Sequence, residues 1–258
     1  MIALKTEAEL GVVAENAQVL ARILGEVAAR VRPGVTTAEL DRLAEARIRA
    51  AGAEPAFKGY RGFPAALCAS VNEEIVHGIP SERRLKEGDI VSLDLGLKRG
   101  GYYADAAVTV GVGRIAPEAE RLLSVAWGAL QAAIRAAKLG SHVSDLSHAI
   151  GRYVGQHGFF VVREFVGHGI GRELHEDPQI PNFGDPGQGV VLREGMVLCP
   201  EPMVKGDDLP VLLREDGWTA VTASGAWAAH YEEMVAVTAA GPWVLTGGIG
   251  EVVCRRKT

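Results

Sequence analysis

Seven histidines are scattered through this 258-residue chain. Two of them, His168 and His175, fall in one stretch, EFVGHGIGRELHEDP (164–178). Imidazoles among glycines and acids suit metal binding or proton transfer. They also suit packing in a loop, so the acids elsewhere must decide. The run DIVSLDLGLKRGGYYADAAVTV (89–110) reads as strand, tight turn, strand. With Arg99-Gly100 as the turn, Lys98 pairs with Gly101 and Asp94 falls opposite Asp105. Opposite residues share a face, with Cβ atoms about 4.5–5.5 Å apart. Two carboxylates there repel. A divalent cation clamped between them offsets the repulsion; so does solvation on an exposed hairpin face. Ile90, Val91, Leu93 and Leu95 are apolar on both faces, as in a buried strand. More acids follow in apolar surroundings. MVLCPEPMV (196–204) carries Glu201 between prolines, and HYEEMVAVT (230–238) carries Glu232 and Glu233 at the head of a strand. Alternation leaves open which of Glu232 and Glu233 points inward, because Met234 and Ala236 are as apolar as Val235 and Val237.

Helices must position these strands. Thr6 to Glu9 reads as a capping box, and Leu10, Val13, Ala17, Leu20, Leu24 and Val27 recur at helical spacing. Pro33-Gly34 ends that helix. A second box, Thr36 to Glu39, opens a helix that stops near Gly52. Strand-like runs follow around 66–72 and 89–110. Pro117 starts a long helix to Leu139, and after Gly140 another runs to about His157. The halves resemble each other. PGVTTAELDRLAEARIRAAG (33–52) lies on LGSHVSDLSHAIGRYVGQHG (139–158), HGI recurs at His77 and His168, and EGDIVSLD (87–94) matches EGMVLCPE (194–201). Three matches in one order predict a duplicated α+β unit, roughly 1–110 and 111–258, within a single domain. Asp94 and Glu201 would then face each other across a pseudo-twofold axis.

Composition excludes several classes. Hydrophobic residues make up 48% and charged residues 23%, and the net charge is −5. No basic field invites DNA, and Arg255-Arg256-Lys257 reads as a solvated tail. Cys68, Cys199 and Cys254 lack CxxC spacing and fit a reducing cytosol better than a disulfide framework. The N-terminus lacks a signal-peptide pattern, and no apolar run approaches ~20 residues. The expectation is a cytoplasmic protein, with no membrane partner and a monomer by default. Cys68 sits in AALCASVN, an apolar strand-like run where cysteine packs as a small hydrophobe rather than acting as a nucleophile.

Taken together, SVNEEIVHGIP (70–80), GDIVSLDLGLKRGGYYAD (88–105), VGHGIGRELHEDP (166–178), EPMV (201–204), DGW (216–218) and YEE (231–233) resemble the type I methionine aminopeptidases, within the wider pita-bread metallopeptidase family. The resemblance covers nearly the whole chain. It implies an α+β pita-bread fold: two pseudo-symmetric halves whose curved antiparallel sheet is backed by helices. It implies five metal ligands, Asp94, Asp105, His168, Glu201 and Glu232, and so selects Glu232 over Glu233. Four carboxylates and one neutral imidazole balance two divalent ions, and a mixed oxygen and nitrogen shell suits Co, Mn, Fe or Zn. By the same resemblance, a water or hydroxide bridging the ions attacks the first peptide carbonyl, and Glu201 accepts its proton. His77 and His175 contact the scissile amide, and the free α-amino group binds at the metal held by Asp94.

The implied methionine pocket is Phe57, Tyr60, Phe63, Cys68, Leu174 and Trp218, roofed by His77. The chain departs from well-known bacterial members there: Phe57 stands where cysteine is common, Phe63 where tyrosine is common, and Leu174 where an aromatic is common. Ala106-Ala107 replaces small hydroxyl residues after Asp105. The implied partners are N-terminal methionines of nascent peptides, with a transient ribosome contact. Proline-specific relatives of the fold carry an extra N-terminal domain, for which 93 residues before Asp94 leave no room. Type II enzymes carry a helical insertion, for which 26 residues from His175 to Glu201 leave none. A binding module that had lost catalysis would lack ligands, and all five are present.

Overall fold

The structure is a computed structural model and describes residues 2–247. Cys254 and the basic run at 255–257 lie outside the described residues. Among the described residues, four α-helices come in two pairs, each followed by strands. The first pair is α1 (Glu7–Ala28) and α2 (Thr37–Ala50), followed by β1 (Glu54–Pro55), β2 (Leu67–Val71), β3 (Glu74–Val76), β4 (Ile90–Arg99) and β5 (Tyr102–Gly111). The second pair is α3 (Pro117–Ala136) and α4 (Val143–Gln156), followed by β6 (Phe160–Val161), β7 (Val166–Gly169), β8 (Glu176–Pro181), β9 (Val197–Cys199) and β10 (Met203–Lys205). The chain continues through β11 (Val211–Leu213), β12 (Ala220–Thr222), β13 (Ala228–His230), β14 (Val235–Thr238) and β15 (Gly241–Val244).

The caps read from the sequence set the helix starts. Thr6 and Thr36 accept from the backbone N–H of Glu9 and Glu39, and both glutamates answer back to the cap backbone. In the second half Asp145 accepts from the His142 backbone N–H at 2.7 Å. Helix α1 buries Val13, Ala17, Leu20, Leu24 and Val27, the predicted stripe apart from the half-buried Leu10, and packs across β4 and β5. Helix α3 ends at Ala136, short of the expected Leu139: Ala137 leaves helical geometry at ψ 56°, and Leu139 is half exposed. Among the described residues, no helix is long and apolar enough to cross a membrane.

Strand β4 centres an antiparallel sheet. It pairs with β5 on one edge and with β2 and β1 on the other. A second antiparallel sheet runs β15-β14-β9-β7-β8. The two sheets meet at a bridge where Glu232 N–H donates to the Ala107 carbonyl at 2.9 Å and Ala107 N–H donates back at 3.3 Å. Two small sheets, β13-β10-β6 and β11-β12-β3, complete the fold.

The hairpin register differs from the expected one. The turn is Gly100-Gly101, with φ of 58° and 80°, and Arg99 pairs with Tyr102. A two-residue I′ turn needs positive φ at both central positions, which glycine adopts freely and arginine does not. Asp94 therefore faces Ala107, and Asp105 faces Gly96. The two carboxylates share a face as diagonal neighbours, which relieves the direct opposition of like charges. Glu201 also differs. It lies between β9 and β10 rather than inside a strand, because neither Pro200 nor Pro202 has an N–H to donate to a ladder.

Strand β7 shows how tightly the second sheet is built around His168. A Cβ on Gly167 would collide with the Cys199 carbonyl oxygen, and one on Gly169 with the Asp177 carbonyl oxygen. These are backbone atoms and cannot swing aside. Gly155, in α4, has nothing within 4 Å of the same added atom. Gly167→Ala is expected to lower unfolding free energy by about 1–3 kcal/mol, whereas Gly155→Ala raises it by up to about 1 kcal/mol through helix propensity. Urea unfolding of the two variants beside the wild type checks the contrast.

Candidate metal centre and its cavity

A cavity of about 640 Å³ opens where the two main sheets join. All thirteen residues predicted from the sequence to form a site line it. The polar end holds Asp94, Asp105, His168, Glu201 and Glu232. The hairpin contributes Asp94 from β4 and Asp105 from β5. His168 comes from the middle of β7, and Glu232 from the bridge to Ala107. Glu201 projects from the Pro-Glu-Pro link between β9 and β10.

Carboxyl oxygens of Asp94, Asp105 and Glu232 lie within 4.8 Å of one another, and so do donor atoms of His168, Cys199 and Glu232. Glu232 is common to both groups. His168 Nε2 stands 3.6 Å from Glu201, 3.9 Å from Glu232 and 4.0 Å from Asp105. Its other nitrogen, Nδ1, is 2.9 Å from the Gly169 carbonyl. A carbonyl only accepts, so the proton sits on Nδ1 and the Nε2 lone pair faces the carboxylates.

The electrostatics are severe. Burial raises the carboxyl pKa of Asp94 to about 6 and pushes Asp105, Glu201 and Glu232 well up. Neighbouring carboxylates add to this: Glu232 acts on Asp105, Asp94 on Glu201, and Glu201 on Glu232. Burial depresses His168 to about 3, with His175 adding to the effect, so the imidazole is neutral. Asp94 Oδ1, Asp105 Oδ1 and Glu232 Oε1 are buried without hydrogen-bond partners. Orphaned carboxylate oxygens aimed at one point, with a neutral imidazole presenting its lone pair, fit divalent cations. The twofold membership of Glu232 fits two of them.

Glu233 lies outside the cavity. It is fully buried and accepts a hydrogen bond from the Thr246 hydroxyl. Glu232 faces in because its backbone pairs with Ala107 on the hairpin. Periodicity could not show this, since both faces of that run are apolar.

The rest of the cavity has an apolar wall, while Arg61, Glu164, Glu176, Asp177 and Gln179 also border it. Phe57, Tyr60, Phe63, Cys68, Leu174 and Trp218 line it. Phe57 packs into the space that glycine leaves at 96: a Cβ there would sit 2.7 Å from the Phe57 ring. Phe63 meets Trp218 edge to face at 5.2 Å between centroids. His77 packs edge-on to Phe165 at 5.3 Å and to Trp218 at 6.2 Å. It adopts φ +59°, a region that a non-glycine residue seldom occupies and that clusters at functional sites. Burial lowers its pKa to about 4. His175 bridges the two ends. Its ring lies 4.5 Å from that of His168, and Nδ1 is 2.8 Å from the Tyr60 hydroxyl. Burial and the Arg61 charge lower its pKa. Cys68 and Cys199 are free, buried thiols pushed well up by burial, which suits Cys68 as wall rather than nucleophile.

Besides the charged and polar residues at the cavity border, two residues beside the acids escaped the sequence reading. Cys199 borders His168 across the β7–β9 pairing. His230 lines the cavity with Nε2 3.4 Å from Glu201 Oε2. It stands two residues before Glu232, and that spacing in an extended run was the available signal.

Comparison with known proteins agrees with this geometry. Residues 13–239 match metallopeptidase family M24. The chain is 49% identical over 246 residues to a methionine aminopeptidase of Clostridium perfringens, covering 95% of this chain and 99% of the relative. It is 47% identical over 246 residues to methionine aminopeptidase 1 of Bacillus subtilis, with the same coverage. The crystal structure of a methionine aminopeptidase from Thermotoga maritima superposes with a TM-score of 0.93 at 46% identity, covering 95% of this chain and 99% of that one. The fold is thus the pita-bread fold of these enzymes, and with a family match across most of its length the chain belongs to metallopeptidase family M24.

Proposed function

We propose that this chain is an aminopeptidase that removes N-terminal methionine from peptides and nascent proteins. The observation that carries the reading is the five-residue cluster beside an apolar wall of Phe57, Phe63, Leu174 and Trp218, with His77 packed against Trp218. Asp94, Asp105 and Glu232 would hold one divalent cation, and His168 and Glu201, with Asp105 and Glu232 shared, a second. Such a pair of cations supplies Lewis acidity, polarising the peptide carbonyl and acidifying water. Their identity among Co, Mn, Fe and Zn is set by supply as much as by this donor set.

The chain's own residues do the rest. Glu201 accepts the proton of the attacking water on its carboxylate and returns it to the leaving amine. The Tyr60 hydroxyl donates to His175 Nδ1, which leaves the Nε2–H of His175 free to donate to the scissile amide. His77, held neutral by burial, donates from the opposite side. Phe57, Phe63, Cys68, Leu174 and Trp218 take an unbranched apolar side chain. Leu174 is flexible where an aromatic would be flat, so the pocket closes around methionine by rotamer adjustment. The α-amino group of the substrate lies on the Asp94 side, where only a chain terminus offers a free amine. The protein works as a monomer in the cytoplasm on chains leaving the ribosome.

The test is hydrolysis of Met-Ala-Ser, Pro-Ala-Ser and acetyl-Met-Ala-Ser after chelation, with and without added Mn or Co. Methionine is expected from the first peptide alone, and only with metal. Release from Pro-Ala-Ser would point to a proline-specific activity, and no release under any metal would sink the enzymatic reading. Glu201→Gln is expected to lower kcat by about 10³-fold or more with an unchanged circular dichroism spectrum; near-wild-type turnover would remove Glu201 as proton acceptor.

The half-buried His77 gives a pH dependence with a definite sign. Its folded pKa of about 4 lies below the ordinary histidine value of 6.5. Between those values the unfolded chain takes up a proton that the folded chain refuses. His77 thus favours folding less and less as pH falls from about 6.5 toward 4. Its share of the loss at pH 4.5 is about 2 kcal/mol. Urea unfolding of metal-stripped protein at pH 7 and pH 4.5 should show His77→Asn losing less stability than wild type over that interval. Equal losses in the two proteins would show that His77 takes up no proton on unfolding.

A further inference from the structure

The two carboxylate oxygens of Glu201 face different imidazoles. Oε1 is 3.6 Å from His168 Nε2, and Oε2 is 3.4 Å from His230 Nε2. His230 is 2% exposed, and its Nε2 has no hydrogen-bond partner among the described residues. A buried ring nitrogen left unpaired costs about 1–3 kcal/mol. The facing carboxylate is the group that relieves that cost, and a carboxylate accepts, so the ring proton belongs on Nε2. Polar contacts of this kind are often long before substrate binds and tighten on binding.

The backbone beneath His230 is held with unusual completeness. Its N–H donates to the Thr109 hydroxyl at 2.9 Å, and that hydroxyl donates back to its carbonyl at 2.8 Å. The Ser92 hydroxyl, directly across the hairpin, lies 2.8 Å from Thr109 Oγ1. His230 also pairs with Met203, two residues beyond Glu201. The hairpin that carries Asp94 and Asp105 therefore also seats the imidazole that faces Glu201. Glu201 itself sits outside any strand between two prolines, so its own backbone gives it no ladder to fix its direction.

We infer that His230 is a positioning residue for Glu201: Nε2–H holds Oε2, stops the carboxylate from rotating, and keeps Oε1 turned toward His168 and the attacking water. The inference rests on the reading of Glu201 as proton acceptor. The proton taken from water goes to Glu201, while His230 keeps its own throughout.

Three variants test it: His230→Gln keeps an N–H donor, His230→Met keeps the volume without one, and Glu201→Gln removes the carboxylate that takes up the proton. Each is assayed on Met-Ala-Ser for kcat and KM separately, and each stripped protein is titrated with Mn(II) by calorimetry. His230→Met is expected to lose about 10–100-fold in kcat, with KM and Mn(II) stoichiometry unchanged, and His230→Gln to recover most of that loss. Wild-type kcat in His230→Met overturns the inference, as does equal damage in His230→Gln. Loss of a bound Mn(II) in His230→Met overturns it too, by making His230 a ligand. Should His230→Met not fold, Thr109→Val loosens the same imidazole through its backbone, with a kcat loss expected and a wild-type kcat refuting. Full activity in Glu201→Gln is a separate result: it removes the proton acceptor on which the inference rests, whatever the His230 variants do.

Discussion

Four carboxyl groups and a neutral imidazole are held together, buried or half-buried, at the seam of two sheets. That constraint shapes much else. Like charges in low dielectric repel strongly, and among the described residues the basic side chain that lines the cavity, Arg61, acts on His175 rather than on the acids. The acids are held there by backbone. Asp94 and Asp105 sit on a hairpin ten residues long on each side, Glu232 is tied to that hairpin by the bridge to Ala107, and His168 lies on a strand squeezed between β8 and β9. Rigid strands can carry an arrangement that flexible loops would relax by swinging one carboxylate into water. Cations held among these groups would remove the repulsion that the rigid frame otherwise has to withstand.

The same frame divides the cavity into two chemistries. At one end, orphaned carboxylate oxygens converge. Elsewhere Phe57, Phe63 and Trp218 form an apolar wall. The division arises at the hairpin: its cavity face carries Asp94 and Asp105, and between them comes Gly96, opposite Asp105, where the missing side chain admits the Phe57 ring. A substrate that spans both ends must present a compact apolar side chain beside a charged or polar terminus. His175 marks the boundary, with one neighbour in His168 and another in Tyr60.

What could be read from the sequence followed the strength of local signals. Capping boxes at Thr6 and Thr36 and the stripe from Val13 to Val27 are local, and they located α1 and α2. The hairpin was legible as a hairpin, but its register was not. Arg99-Gly100 and Gly100-Gly101 differ by one residue, and only the demand for positive φ at both turn positions separates them. That one step moves Asp94 from facing Asp105 to facing Ala107. The choice between Glu232 and Glu233 was illegible for a different reason. The run is apolar on both faces because it is buried on both, so alternation carries no information, and the bridge to Ala107 that turns Glu232 inward joins residues 125 apart in sequence. His230 was passed over because an isolated histidine in an apolar run reads as packing until the carboxylate it faces is placed beside it.

Neither half of the chain supplies a working set of groups. The first brings Asp94, Asp105, His77 and most of the apolar wall; the second brings His168, His175, Glu201, Glu232 and Trp218. The parallel order of helices and strands in the two halves gives each a similar frame, with α2 and α4 both 14 residues long. The frames are nevertheless filled differently: Asp94 lies within β4, whereas Glu201, its counterpart in the matched motif, is expelled from the strands by flanking prolines. A carboxylate inside a strand is fixed in direction and suits holding a cation. One in a proline-bounded link has freedom to take and release a proton, provided something else limits that freedom. The difference between two otherwise matched positions is thus a physical basis, on the proposed reading, for Asp94 to serve as a ligand alone while Glu201 also moves a proton.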